Sequence, residues 1–177
     1  MAEKIGNLVS WILLSLALIL LDQYTKTLAV LCLKGQEPIV IVRDVFELLY
    51  SENRGAAFGI MQGQQTLFAV IGLVVFVFAG YVMLRLPGWS VKRYIPLKIC
   101  VIMVTAGALG NMVDRLSVGY VVDFLYFVLI DFPVFNVADI YVTTAAAALI
   151  FLICFYYRDG ELEMFYSGSS SGFGKGE

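Results

Sequence analysis

The chain has no histidine among its 177 residues, and only 15% of its side chains are charged. Without imidazole there is no Ser-His-Asp triad, no histidine base and no histidine-ligated metal, so proton transfer falls to carboxylates. Cys32, Cys100 and Cys154 stand far apart without metal-type spacing, and read as small buried apolar residues. No metal and no cofactor is therefore expected. Twelve basic residues face fourteen acidic ones with no long run of either sign, which leaves nothing to suggest nucleic acid as a partner.

What the chain has in abundance is hydrocarbon. Hydrophobic residues make up 60% of it, and the mean hydropathy of +0.86 exceeds that of a soluble domain. Four segments, 8–30, 66–86, 96–116 and 138–157, are long enough to cross a hydrocarbon core of about 30 Å at about 1.5 Å per residue. The first is interrupted by Asp22 and Lys26 and followed by no small-residue cleavage site, so it reads as a retained span. The expected fold is an all-α membrane protein, a four-transmembrane-helix bundle, with residues 1–160 as one domain. The Gly- and Ser-rich segment 161–177 reads as a flexible cytoplasmic tail.

Arg85, Lys92, Arg93 and Lys98 cluster around the short connection between the second and third spans, which places that connection in the cytoplasm. Both termini then share its side. Asp22 and Lys26 late in the first span, Asn111, Asp114 and Arg115 late in the third, and Asp139 early in the fourth all fall toward the outer leaflet. Ionisable groups in a bilayer are costly, so their convergence at one depth marks a candidate site. The cytoplasmic halves read as almost purely aliphatic and aromatic. In the first outer connection, PIVIVRDVFELLY over 38–50 is rich in β-branched and aromatic residues and predicts a small antiparallel β-cradle on the outer surface, about 36–60. Asn53, Arg54 and Gly55 supply turn chemistry.

Asp22 and Lys26, four apart, can pair on one helical face and read as support. Asn111, Asp114 and Arg115 share a stripe, and Arg115 is expected to hold Asp114 ionised, which makes Asp114 a poor proton donor. Asp123 has no basic neighbour in sequence, and Asp139 lies three residues beyond Asn136, where it could equally cap a helix. Two acids that approach each other in apolar surroundings cannot both ionise freely, so one acid and one base coexist near neutrality. That suits an aspartic protease, but buried carboxylates also serve as proton relays in transporters, and these residues alone leave both readings open.

Five blocks in order carry a resemblance: 22–26 DQYTK, 53–58 NRGAAF, 107–111 GALGN with Asp114 and Arg115, 119–124 GYVVDF, and 135–139 FNVAD. Together they resemble the bacterial lipoprotein signal peptidases, the type II signal peptidases, which are aspartic intramembrane proteases. The resemblance implies catalytic roles for Asp123 and Asp139, with Asn53, Asn111, Asp114, Arg115 and Asn136 lining or bracing the site and Asp22 and Lys26 as further polar support. It also implies a mobile outer segment within 55–65. The substrate implied is a diacylglyceryl-modified prolipoprotein, cut just before its lipidated cysteine by a monomer in the bacterial inner membrane, with the active site toward the outer leaflet and membrane lipid as its surroundings. Two positions depart from the family pattern: Ala106, where a second glycine often stands, and Phe132, where tryptophan is frequent.

Overall fold

In hydrocarbon a chain must satisfy its own amides, and a long apolar segment does so as an α-helix. A computed structural model describes residues 1–55, 65–158 and 160–165. It contains four such helices: α1 (Ala2–Leu33), α2 (Gln65–Arg85), α3 (Ile95–Ser117) and α4 (Val137–Phe151), the last extended by a π-helical turn over Leu152–Tyr156. All four are long and apolar enough to cross a membrane. The expected outer segment of 55–65 lies largely outside the described residues, as does the tail beyond residue 165.

Helix α3 packs against each of the other three and is the hub of the bundle. Half of its span is buried, against 17–22% for the others. Small residues allow this closeness, as is usual where helices meet in lipid. A Cβ on Gly107 would come within 2.5 Å of the Ala138 carbonyl oxygen, and one on Gly110 within 2.8 Å of Asp22 Oδ2. Ala106 is itself fully buried, so this departure still leaves a small residue in the packed core.

The sheet is larger than the sequence implied. Strands β1 (Ile39–Val42) and β2 (Phe46–Asn53) form the expected hairpin, but β3 (Val121–Phe127) from the second outer connection adds to β2 antiparallel, in the order β1-β2-β3. Asp44 makes the hairpin turn with φ of 60°, a left-handed conformation that aspartate tolerates better than most residues. Asn53 ends β2, its side-chain oxygen accepting a 3.0 Å bond from Gly55 N.

Two further expectations are corrected. The half of the bundle away from the sheet is not purely apolar: Asn7 and Lys98 are fully buried there, as is Thr105 near the middle of α3. Asn7 donates to the carbonyls of Met83, Leu86 and Pro87, which the last turn of α2 and the residues after it leave open. The Asn7 oxygen accepts from Lys98 at 2.9 Å, and that ammonium also lies 4.5 Å from the centroid of Trp89. Of the cysteines, only Cys100 is buried; Cys32 and Cys154 are exposed on the bundle surface. Residues 160–165 make contacts with the bundle. Arg93 pairs with Glu161 at 2.8 Å, and Arg85 donates to the Met164 carbonyl.

Candidate active site

Asp123 reaches the site from β3, where Val121 to Phe124 are buried in succession. The β2–β3 register is irregular between Leu48 and Ser51, just before the pair Ser51 and Asp123; bulges of this kind re-aim side chains near functional sites. Beyond β3 the chain doubles back. Phe135 N donates to the Leu125 carbonyl, and the Phe135 carbonyl accepts from Phe124 N and Leu125 N. This return sets Asn136 beside Asp123 and starts α4.

Asp139 does cap a helix. Asn136 Oδ1 accepts from Asp139 N at 3.0 Å, and Asp139 Oδ2 accepts from Asn136 N at 3.1 Å, a reciprocal capping box at the start of α4. Its other oxygen, Oδ1, accepts from Asn111 Nδ2 at 2.8 Å. The capping and site roles thus use different oxygens of one carboxylate.

Three asparagines present their NH2 groups to the two acids, and each is turned that way by another partner. Lys26 is only a donor, so the Asn111 oxygen faces it at 2.9 Å and the Asn111 NH2 faces Asp139. The Asn136 oxygen is taken by Asp139 N, which leaves its NH2 for Asp123 Oδ1 at 2.6 Å and Asn111 Oδ1 at 3.1 Å. Gly55 N holds the Asn53 oxygen, so the Asn53 NH2 reaches Asp123 Oδ2 at 2.9 Å. All four carboxylate oxygens therefore accept a bond. Asp123 is 2% exposed, and desolvation, then the neighbouring charge of Asp139, push its pKa up to about 6, although the Asn53 and Asn136 bonds pull the other way.

Behind the asparagines stands a buried triad of charges. Lys26 contacts Asp22 at 2.8 Å and Asp114 at 2.9 Å, so the cation touching Asp114 is Lys26 rather than the expected Arg115. Arg115 instead donates to the Gly55 carbonyl at 2.9 Å and to the Asn111 carbonyl, and lies over Phe68. Asp22 Oδ1 accepts from Ala138 N, which ties α1 to the first turn of α4, and Asp114 Oδ2 accepts from Val122 N, which ties α3 to β3. Gln23, a site residue that only its place within the 22–26 block signals in the sequence, bonds Asp114, the Gly110 carbonyl and Asp22.

The two acids open onto a cavity of about 630 Å³ between the ends of β2, α3 and α4 and the 132–135 return, within the range of small-molecule and peptide sites. Asn53, Asn111 and Arg115 line it with Asp123 and Asp139, while Phe132 and Thr143 lie on its wall. Its rim carries a charge cluster that the sequence did not announce. Glu52 accepts from Lys34, Tyr50 and Arg54, and these bonds hold its pKa down to about 2. Among the described residues no group of histidine, cysteine, aspartate and glutamate side chains could hold a metal ion.

The model of the family described as signal peptidase (SPase) II matches residues 14–155. The lipoprotein signal peptidase of Halothermothrix orenii is 44% identical over 76% of this chain and 88% of its own length. That of Caldanaerobacter subterraneus subsp. tengcongensis is 41% identical over 77% of this chain and 90% of its own length. A bacterial membrane enzyme solved by the in meso method at 1.9 Å resolution superposes with a TM-score of 0.72 at 27% identity, covering 84% of this chain and 94% of that one.

Proposed function

The chain belongs to the signal peptidase II family of aspartic peptidases, and from that premise we propose that it removes the signal peptide of diacylglyceryl-modified prolipoproteins by cutting just before the lipidated cysteine, with Asp123 and Asp139 as the catalytic dyad. As a multi-pass bacterial membrane enzyme it has a substrate held in the same bilayer. One observation carries the reading: two acids, Asp123 buried and Asp139 half-buried, each bonded by oriented amides, share the wall of one cavity at the sheet-bearing end of the bundle. The acids gather at that end rather than stepping across the membrane, which disfavours a proton relay.

In this mechanism one carboxylate takes a proton from water as the oxygen adds to the scissile carbonyl carbon, while the other, protonated, donates to the carbonyl oxygen. Collapse of the resulting gem-diol breaks the C–N bond, and a dyad proton passes to the leaving amine. The amides hold the carboxylates in place before substrate arrives. Asn111 and Asn136 bridge the dyad to Lys26 and to each other, and Asn53 braces Asp123 from the sheet. Asp22, Asp114 and Arg115 fix the elements that carry them. The enzyme works as a monomer in the inner membrane, with its termini in the cytoplasm and the cavity at the outer leaflet among membrane lipids.

The test compares a diacylglyceryl precursor peptide with its unlipidated twin on purified enzyme. Cleavage before the cysteine of the lipidated peptide alone is expected; equal cleavage of both would overturn the proposal.

A further inference from the structure

A second groove, of about 340 Å³, lies on the membrane-facing side between α2, α3 and α4. Among the described residues its walls are a stripe of α2 from Phe68 to Val75 and one of α3 from Val104 to Met112, with Val142 of α4 on the third side. Its mouth shares Asn111, Arg115, Asp139 and Thr143 with the catalytic cavity. We propose that this groove seats one acyl chain of the substrate's diacylglyceryl group and so acts as a ruler that positions the lipidated cysteine at Asp139. The inference rests on the function proposed above.

Dimensions select the occupant. From Arg115 to Val104 the groove follows three turns of α3, which at about 1.5 Å per residue is a depth of about 16 Å. That is close to half of an approximately 30 Å hydrocarbon core, the reach of one chain in one leaflet. A signal-peptide helix, about 10 Å across with its side chains, would need about 1,000 Å³ over the same depth and does not fit. The walls change character where the lipid itself does. Below the mouth they are apolar. At the mouth, Thr143 is exposed, and its hydroxyl makes no bond to another described residue, which leaves it to meet the ester region of a glyceryl group. The chain gains little by leaving lipid for an equally apolar groove, so the benefit is orientation of the reacting bond more than affinity.

The probes are precursor lipopeptides with dioctanoyl or dipalmitoyl glyceryl groups, assayed in bilayer nanodiscs with wild type, Val104→Phe and Ala108→Phe. Val104→Phe plugs the deep end and is expected to lower kcat/KM at least tenfold more for the dipalmitoyl than for the dioctanoyl peptide. Ala108→Phe sits one turn nearer the mouth and is expected to lower both. Leu73→Phe, on the exposed lipid face of α2 outside the groove, should change neither. Equal losses at both chain lengths in Val104→Phe, or no loss in either groove variant, overturns the ruler. Should Ala108→Phe fail to fold, the Val104→Phe ratio decides alone. Wild type that ignores lipidation altogether sinks the proposed function instead, and is thereby told apart from failure of the groove.

Discussion

The molecule buries polar groups at both ends of its helical bundle, and the two ends differ in what is left over. Opposite the sheet, Asn7 satisfies three backbone carbonyls and accepts from Lys98, which also lies against Trp89. The Asn7 bonds close a helix terminus. At the sheet end stand four acids and two cations: Lys26 contacts Asp22 and Asp114, Arg115 interacts electrostatically with Asp114, Asp123 and Asp139, and Asp123 and Asp139 line open space. Costly polarity in a membrane is therefore not by itself a sign of chemistry. The sign is an excess of acids over counter-charges, aimed into a cavity by groups that are already oriented.

The most severe way to break this contrast is to neutralise the proposed dyad. Asp123→Asn and Asp139→Asn are each expected to lower turnover of a lipidated precursor by about a thousandfold or more. Both should keep an unfolding temperature near that of the parent, since the amide keeps one of the two accepted bonds and its lost second bond is offset by removal of a charge that is costly to desolvate. Turnover within tenfold of wild type in either variant removes that residue from the dyad.

Next comes the paired test of the two buried lysines. Lys26→Met leaves Asp22 and Asp114 as buried, uncompensated carboxylates and should cost about 3–5 kcal/mol, read as a large fall in thermal midpoint. Lys98→Met takes the donor from the neutral Asn7 oxygen and a charge partner from Glu3, which is exposed and stays solvated, and should cost about 1–3 kcal/mol, with turnover of the folded fraction retained. Equal destabilisation by the two would erase the distinction between a charge-excess site and a helix-closing knot.

A finer test concerns pH. The Asn53 bond favours the ionised form of Asp123, so Asn53→Ala should raise the Asp123 pKa further above about 6. The limb of the kcat/KM profile that tracks Asp123 is then expected to move to higher pH by about one unit, while the other limb moves less. An unmoved profile would mean that Asn53 braces the strand but does not tune the acid.

The smallest effect is expected between the two ends. Tyr141 carries a buried hydroxyl with no partner among the described residues. Tyr141→Phe removes a polar atom whose burial is not repaid, and should be neutral or stabilising by up to about 1 kcal/mol in a thermal melt. A clear loss of stability would instead place a bound water there.

The family assignment and the helical bundle were legible because they depend on composition, length and local order. Twenty apolar residues in a row have few alternatives to a helix in lipid, and five short blocks in sequence order identify a family. The contacts were harder to read. Arg115 is one residue from Asp114 and by spacing is its natural partner, yet Lys26 from another helix takes that place. Lys98 looked like one more basic residue beside a connection, and only packing reveals that it is fully buried.

By itself, then, the sequence determined that the chemistry must be carboxylate chemistry, that the chain crosses a membrane four times, and which residues stand at the sheet end. Those follow from residue type and spacing along one helix or one block. Tertiary structure decided that Asp123 rides on a third strand, that three amides are turned toward the acids by partners 2 to 85 residues distant in sequence, and that the site continues into a groove between three helices. Hydrogen-bond direction and empty volume belong to groups that meet only when the chain is folded, so no spacing in the sequence encodes them.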